Sequence, residues 1–390
     1  MPLFSIITPV YNGERYIKNT LDSVLSQEFK DYEYIIVNDG STDGTLDILK
    51  EYKKKDARIR IVDQSNQWIF NAMNNGCKVA TGEYIFFINA DDLMCEHTLK
   101  RAEELIKKYN PDVIWTRINA CRCNENQEIL EEDILNYARY SWEEKFFKTA
   151  DEVHKNWLWL YQREYTQNNV NFYRRNLLLE YPFRNDFYGA DTYLNPHMAN
   201  SINSAVTMIE PVIMFMDYNS DSMNTSGDKY YGYEFEMYHA IMDEHVARLQ
   251  EWNVFDEEAK QYLYKRALRE VSYCMRLLNT SRCKLSLEEK LEVIVNKYFG
   301  DKMYKMSSEI GATEELESRV LSGIRTILLR EQIAKESKWY FLYELLDSLL
   351  RYEKTQDDRQ IVEKAINNPL NKNHLGKTFY EKLGDEAWNF

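Results

Sequence analysis

Over the first 120 residues, apolar positions follow two alternating patterns. Short, nearly continuous apolar runs occur at Phe4–Val10, Tyr32–Val37, Ile59–Val62, Tyr84–Ile88 and Val113–Trp115. Runs of this kind read as strands buried on both faces. Between them the spacing becomes helical. Ile17, Leu21, Val24 and Leu25 share one face of a helix within 14–27, and Leu46, Leu49 and Tyr52 share another after Gly44. A further helix is expected over 70–80. Strand–helix repetition with short connections predicts an α/β domain with a parallel sheet covered on both sides.

The pattern loosens between about 120 and 228. Asn171–Tyr173 looks like a strand, and 205–218 holds a pair of short apolar runs. After 229 the spacing of three and four returns in Leu263, Ala267, Val271, Cys274 and Leu278, and again in Leu316, Val320, Ile324 and Ile327. Ser286 with Glu289 makes a capping box ahead of Leu291, Ile294 and Val295. The reading is an α/β domain over 1–228 followed by an α-helical domain over 229–390.

With 390 residues and 44% hydrophobic content, the chain can bury one large core or two ordinary ones. Its formal net charge of −14 argues against nucleic acid and anionic lipid as partners. No run reaches the ~18 apolar residues of a membrane span. The start at Met1–Ser5 lacks the basic and apolar regions of a signal peptide. Six cysteines are scattered, and Cys121 with Cys123 lacks the second pair or nearby His that zinc requires. Reduced thiols and a cytoplasmic location are expected.

The run Tyr84–Ile88 delivers Asn89-Ala90-Asp91-Asp92 at its end. Ligands of open α/β sheets bind at the carboxyl ends of strands. Two carboxylates placed there are costly to desolvate without a cation, and a divalent metal that also holds a phosphate meets that need. The rival reading makes Asp91 or Asp92 the N-cap of the helix holding Leu99 and Leu105. Asp39 ends the second strand on the same edge, and Thr8-Pro9-Val10-Tyr11 closes the first. A carboxylate such as Asp39 can accept from the N3–H and ribose hydroxyls of a nucleoside, and Tyr11 offers a ring for stacking. Alternatively, Asp39–Gly44 is only a turn before a capped helix. No GxGxxG follows the first strand and there is no P-loop lysine, which argues against a dinucleotide enzyme or an ATPase.

Four blocks bring a family resemblance. Ser5-Ile6-Ile7-Thr8-Pro9-Val10-Tyr11-Asn12 and Ile36-Val37-Asn38-Asp39-Gly40-Ser41-Thr42-Asp43-Gly44-Thr45 resemble family 2 glycosyltransferases of the GT-A fold. Ile69-Phe70-Asn71-Ala72-Met73-Asn74-Asn75-Gly76 resembles a subgroup pattern I-Y-D-A-M-N-K-G, and Ala80–Ile85 followed by Asn89–Asp92 resembles the segment containing the family's metal motif. The resemblance thins after residue 120 and reaches no further than about 225. It implies a nucleoside-diphosphate sugar donor, a UDP-sugar by family frequency, and inversion at the anomeric carbon. It implies Thr8, Pro9, Tyr11 and Asp39 around the nucleoside, Asn71 near the donor, Asp91 on Mn²⁺ or Mg²⁺, and Asp92 either towards the sugar or capping the next helix. The acceptor would be a hydroxyl of a glycan or a glycosylated protein.

The resemblance further implies a carboxylate base about 100 residues beyond the metal motif, usually the Asp of a Glu-Asp pair. Asp191 stands there with Ala190 in place of Glu, and Asp186 is its rival. Asp191 could equally be a helix N-cap. Two other departures are Asn71 for Asp, and Asn219–Ser222 where many relatives carry a His that joins the metal. Trp157, Trp159 and Tyr161 read as a packed face or as an acceptor platform. Trp339–Leu350 reads as core or as a self-association face for a homo-oligomer. Two other functions stay open: a sugar nucleotidyltransferase on a similar sheet, and a degenerate GT-A scaffold.

Overall fold

The structure is a computed structural model that describes residues 1–124, 128–132, 142–166, 170–218, 230–280, 282–298 and 300–330. Its strands are β1 (Phe4–Val10), β2 (Tyr32–Asp39), β3 (Ile59–Gln64), β4 (Tyr84–Phe87), β5 (Leu93–Met94), β6 (Val113–Cys123), β7 (Ile129–Glu131), β8 (Phe146–Phe147), β9 (Phe172–Arg174) and β10 (Ala205–Tyr218). Interleaved with them are α1 (Ile17–Leu25), α2 (Thr45–Lys55), α3 (Ile69–Val79), α4 (Thr98–Tyr109), α5 (Ala150–Lys155), α6 (Trp157–Gln162), α7 (Arg175–Glu180) and α8 (Ala190–Met198). The strands form one sheet in the order β3-β2-β1-β4-β9-β6-β10-β5, with β7 beside β6 and β8 beside β10.

The first four strands in that order are parallel, as the strand–helix alternation predicts. The sheet as a whole is mixed. β9 runs antiparallel between β4 and β6, and β5 antiparallel to β10. A short apolar run carries no record of its direction, which is set by the connections that deliver it. The expected pair of runs at 205–218 is one strand, β10. Its register against β6 shifts on both sides of Pro211, a residue with no N–H for the ladder.

Pro9 sits in central strand β1 without a ladder penalty. The Leu3 and Ile7 carbonyls accept from Tyr84 and Ile88, so odd-numbered residues of β1 turn their main chain towards β4. The β1–β4 pairing ends at Ile7 and Phe87. Pro9 falls beyond it, where no donor is needed.

One face of the sheet buries Phe4, Ile6, Tyr34, Ile36 and Phe86 against Leu21 and Val24 of α1 and Leu99 and Leu105 of α4. On β1 and β2, α3 lies very close. A Cβ on Gly76 would stand 2.6 Å from the Ile7 side chain, so this helix packs at that depth only with glycine.

The chain divides into two compact units, residues 1–224 with 240–255, and residues 225–239 with 256–390. Among its described residues the second unit is helical throughout: the start of α9 (Glu234–Glu251), then α10 (Glu257–Leu278), α11 (Leu287–Val293), a π turn at Ile294–Tyr298, α12 (Asp301–Glu309) and α13 (Thr313–Arg330). Leu268, Val271 and Cys274 of α10 meet Leu316, Val320 and Ile324 of α13 in its core. The Ser286–Glu289 capping box forms at the start of α11. The apolar stretch Trp339–Leu350 and the segment Asn219–Ser222 lie outside the described residues. Among the described residues no helix is long and apolar enough to cross a membrane.

Candidate active site

The carboxyl ends of β1, β2 and β4 are neighbours, because β1 pairs with both of the others. Tyr11 leaves β1 with 48% of its surface exposed. Asn12 follows in a left-handed conformation (φ 50°), which asparagine tolerates. Its side-chain oxygen accepts from the Thr42 N–H at 2.8 Å, and its own N–H donates to Ser41 Oγ at 3.0 Å. Asp43 accepts from the Glu14 N–H at 3.1 Å and the Thr45 N–H at 3.0 Å, and these bonds outweigh burial in holding its carboxyl below the usual range. The turn after β2 is thus laced to the loop after β1.

Asp39 is buried, and its Oδ1 already accepts from Gln64 Nε2 at 2.7 Å and the Gln67 N–H at 2.8 Å. Oδ2 is the oxygen left for an incoming donor. Thr8 and Pro9 lie inside the sheet, and Thr8 Oγ1 is hydrogen-bonded to the Tyr34 hydroxyl at 3.0 Å. The Thr8 side chain therefore holds the core together, and only the main chain of these two residues can border a nucleoside. Trp68, which sequence reasoning passed over, is 47% exposed and held at φ 76°, next to the Gln67 that binds Asp39. A bulky residue in that backbone region is a marked outlier of the kind that clusters at ligand sites.

The loop after β4 separates its two carboxylates. Asp92 is 1% exposed, with Oδ1 accepting from the Met216 N–H at 3.1 Å and Oδ2 from Asn89 Nδ2 at 2.9 Å. Burial, and then the neighbouring Asp91 charge, push its carboxyl well above the usual range. Thr20 Oγ1 of α1 contacts the carbonyls of Ala90 and Asp92, both at 2.8 Å. Asp92 is thereby an anchor of the loop. It is not a helix cap. β5 follows directly, and the N-cap of α4 is His97. Asp91 is partly exposed, and burial raises its carboxyl too.

Among the described residues no three His, Cys, Asp or Glu side chains cluster to hold a metal. One partly exposed carboxylate at a strand end still fits Mg²⁺ or Mn²⁺ of the kind bound through one or two carboxylates and substrate phosphates.

The third part is the segment 183–191. Asp186 is paired with Arg184 through Nε at 2.9 Å and Nη2 at 2.5 Å, and this pairing lowers its carboxyl below the usual range. Asp191 is the second residue of α8, whose N-cap is Gly189, so the capping role expected as an alternative falls to another residue. Its Oδ1 accepts from the Thr192 N–H at 2.8 Å. Burial pushes its carboxyl up to about 6. The middle of α8 is fixed from within, where the Tyr173 hydroxyl accepts from Asn171 Nδ2 at 2.9 Å and donates to Asn195 Oδ1 at 3.2 Å, all three buried.

Asn71 of α3 is bonded to this segment. Its amide donates to the Gln67 carbonyl at 2.8 Å and accepts from Asn185 Nδ2 at 3.1 Å. Asn74, one turn along, binds Phe183. The asparagine spacing Asn71-Asn74-Asn75 was the signal for this role. Trp157 and Tyr161 are buried, and Trp159 packs against Phe147 and Tyr165, so this face belongs to the core.

A mixed sheet opening over these strand ends defines a GT-A-like α/β domain. Residues 5–179 match the model of glycosyl transferase family 2. It is 40% identical over 114 residues to the uncharacterized glycosyltransferase EpsJ of Bacillus subtilis (strain 168), a match covering 29% of this chain and 33% of EpsJ. EpsH of the same organism, provisionally named a glycosyltransferase, is 27% identical over 268 residues, covering 67% of this chain and 73% of EpsH. The chain thus spans a third of the first relative and most of the second. Among solved structures, S. aureus TarS 1-349 in complex with UDP-GlcNAc shares the fold with a TM-score of 0.56 at 20% identity, over 84% of this chain and 91% of that one.

Proposed function

We propose that this protein is an inverting glycosyltransferase that moves a sugar from a nucleoside-diphosphate donor to an acceptor hydroxyl. The observation that carries the reading is the Asn89–Asp92 loop of a family 2 domain, with Asp92 locked inside and Asp91 left accessible at the strand end. Asp91 would hold Mg²⁺ or Mn²⁺ there, and such an ion supplies charge neutralisation for the departing diphosphate. Asp39 Oδ2 accepts from the nucleoside, and Tyr11 and Trp68 offer rings beside it.

Asp191 serves as general base. The acceptor oxygen forms a bond to the anomeric carbon as the bond from that carbon to the diphosphate oxygen breaks. The acceptor proton passes to Asp191, and the bonding pair leaves on the diphosphate. A carboxyl pushed to about 6 is matched to this task near neutral pH, whereas Asp186 is committed to Arg184. UDP is the proposed nucleotide, supported by the UDP-GlcNAc held by TarS. The proposed acceptor is a glycan or glycosylated protein. The part 229–390 is proposed to serve acceptor binding or self-association. Six buried free thiols support a cytoplasmic site of action.

The test is a screen of nucleotide sugars against glycan acceptors with Mn²⁺ and with chelator, reading the anomeric configuration of the product by NMR. A product of inverted configuration that forms only with metal is expected. Turnover of a sugar 1-phosphate with a nucleoside triphosphate would replace this reading by a nucleotidyltransferase. Absence of donor turnover throughout the screen would replace it by a scaffold.

A further inference from the structure

Helix α3 carries Asn71, Asn74 and Asn75 on one stripe, since positions i, i+3 and i+4 share a helical face. Each amide is spent on a different part of the domain. Asn75 Nδ2 donates to Gln64 Oε1 at 2.8 Å, which turns Gln64 Nε2 towards Asp39 Oδ1 at 2.7 Å. Asn71 Nδ2 donates to the Gln67 carbonyl at 2.8 Å, and the Gln67 N–H donates to the same Asp39 oxygen at 2.8 Å. Asn71 also accepts from Asn185.

Asn74 and Phe183 exchange two bonds. Asn74 Nδ2 donates to the Phe183 carbonyl at 2.8 Å, and the Phe183 N–H donates to Asn74 Oδ1 at 2.9 Å. The Phe183 ring stacks on Phe70 with centroids 5.7 Å apart and meets Phe87 edge-on at 5.2 Å. A hydrogen-bonded chain therefore runs from Asp39, through one face of α3, to the segment that leads into Asp191.

We propose that the asparagine stripe of α3 is a positioning device that holds Asp39 and the 183–191 segment in one fixed relation. The same helix then sets both where the nucleoside is received and where the acceptor proton is taken. This rests on the reading of Asp39 and Asp191 given above. Amides suit the task because each donates and accepts at once, so its rotamer is fixed without adding charge beside a diphosphate. Preorganisation of this kind matters because a misplacement of about 1 Å costs about a hundred-fold in rate.

The test uses the full chain with Asn74→Ala, Asn185→Ala and Asp191→Asn, alone and combined, and Asn75→Ala alone. It reads UDP affinity in Mn²⁺ by calorimetry, and kcat and KM for transfer. Asn74→Ala is expected to lower kcat about ten- to a hundred-fold while UDP affinity moves less than about two-fold. Combined with Asp191→Asn it should add less than about three-fold, because its effect passes through the base. Asn185 is exposed, so its alanine variant removes one rung with the fold intact. It should show a smaller kcat loss, about three- to ten-fold, with the same lack of additivity. Asn75→Ala should act on the other arm and weaken UDP about ten-fold.

Losses that multiply in the double variants, or unchanged kcat in both Asn74→Ala and Asn185→Ala, would overturn the positioning role alone. Near-normal transfer in Asp191→Asn by itself would overturn the base assignment together with it.

Discussion

Asp92 Oδ1 accepts the Met216 N–H at 3.1 Å across 124 residues of chain, so the loop that presents Asp91 is fastened to the strand β10. Two adjacent carboxylates thereby have opposite tasks, one inward and structural, the other accessible. Asp92→Ala leaves the Met216 N–H and the Asn89 amide without their acceptor. It is expected to cost about 1–3 kcal/mol in chemical unfolding. Asp91→Ala should leave unfolding nearly unchanged and abolish the tightening of UDP by Mn²⁺. Equal destabilisation by the two substitutions would contradict this division.

Asp39→Asn is the informative change at the nucleoside end. It keeps an oxygen for Gln64 and Gln67 and replaces only the free oxygen with an amide. UDP affinity should fall about ten- to a hundred-fold, the range for a lost hydrogen bond to a charged group. Calorimetry should find the same factor in chelator and in Mn²⁺, with the melting temperature unchanged. A factor confined to Mn²⁺ would place Asp39 on the metal side of the site.

Asp191→Asn should retain UDP binding and metal dependence while transfer drops by about 10²–10⁴. The same change at Asp186, already paired with Arg184, should leave transfer near normal. Loss in Asp186→Asn with near-normal transfer in Asp191→Asn would move the base to Asp186.

The pH dependence follows from the Asp191 carboxyl at about 6. A base must be ionised, so transfer at saturating donor should rise through about pH 6 and level off above it, a limb absent from Asp191→Asn. For stability the sign is opposite. The folded carboxyl holds its proton more tightly than the unfolded one. Its contribution is favourable below the ordinary Asp range and is lost as pH rises through about 6. Asp191→Asn should therefore melt higher than the parent at pH 7.5, with the gain gone by about pH 4. An unchanged difference in melting temperature between these two pH values would show that the folded protein does not raise the Asp191 carboxyl.

Thr8→Val should cost about 1 kcal/mol by leaving the buried Tyr34 hydroxyl without its partner. UDP affinity should stay within about two-fold, because the Thr8 side chain is buried against the Tyr34 hydroxyl. A large loss of affinity in calorimetry would return Thr8 to the nucleoside pocket.

Much of this domain is legible in the chain itself. Continuous apolar runs marked β1 to β4, helical spacing marked α1 to α3, and the capping box at Ser286 marked α11, because each depends on neighbours within a turn or a strand. The four blocks from Ser5 to Asp92 pointed to the family for the same reason: each is a local strand-to-loop transition with its own chemistry. The direction of β9 was not legible, since three residues pair equally well in either sense until the connection around them is known.

Only the tertiary structure decided which polar groups are free to act. By itself the sequence determined that Asp39, Asp91, Asp92, Asp186 and Asp191 are present near strand or segment ends, and no pattern along it separates the available from the committed. Asp92 is committed by Met216, Thr8 by Tyr34, and Asn71 by Asn185, partners 124, 26 and 114 residues away. Even Asp186, with Arg184 only two residues back, is committed by a loop conformation that aims the guanidinium at it. A carboxylate's proton affinity and reach are set by burial and by the donors that meet it, and those arrive through the order of strands in the sheet rather than through neighbours in the chain.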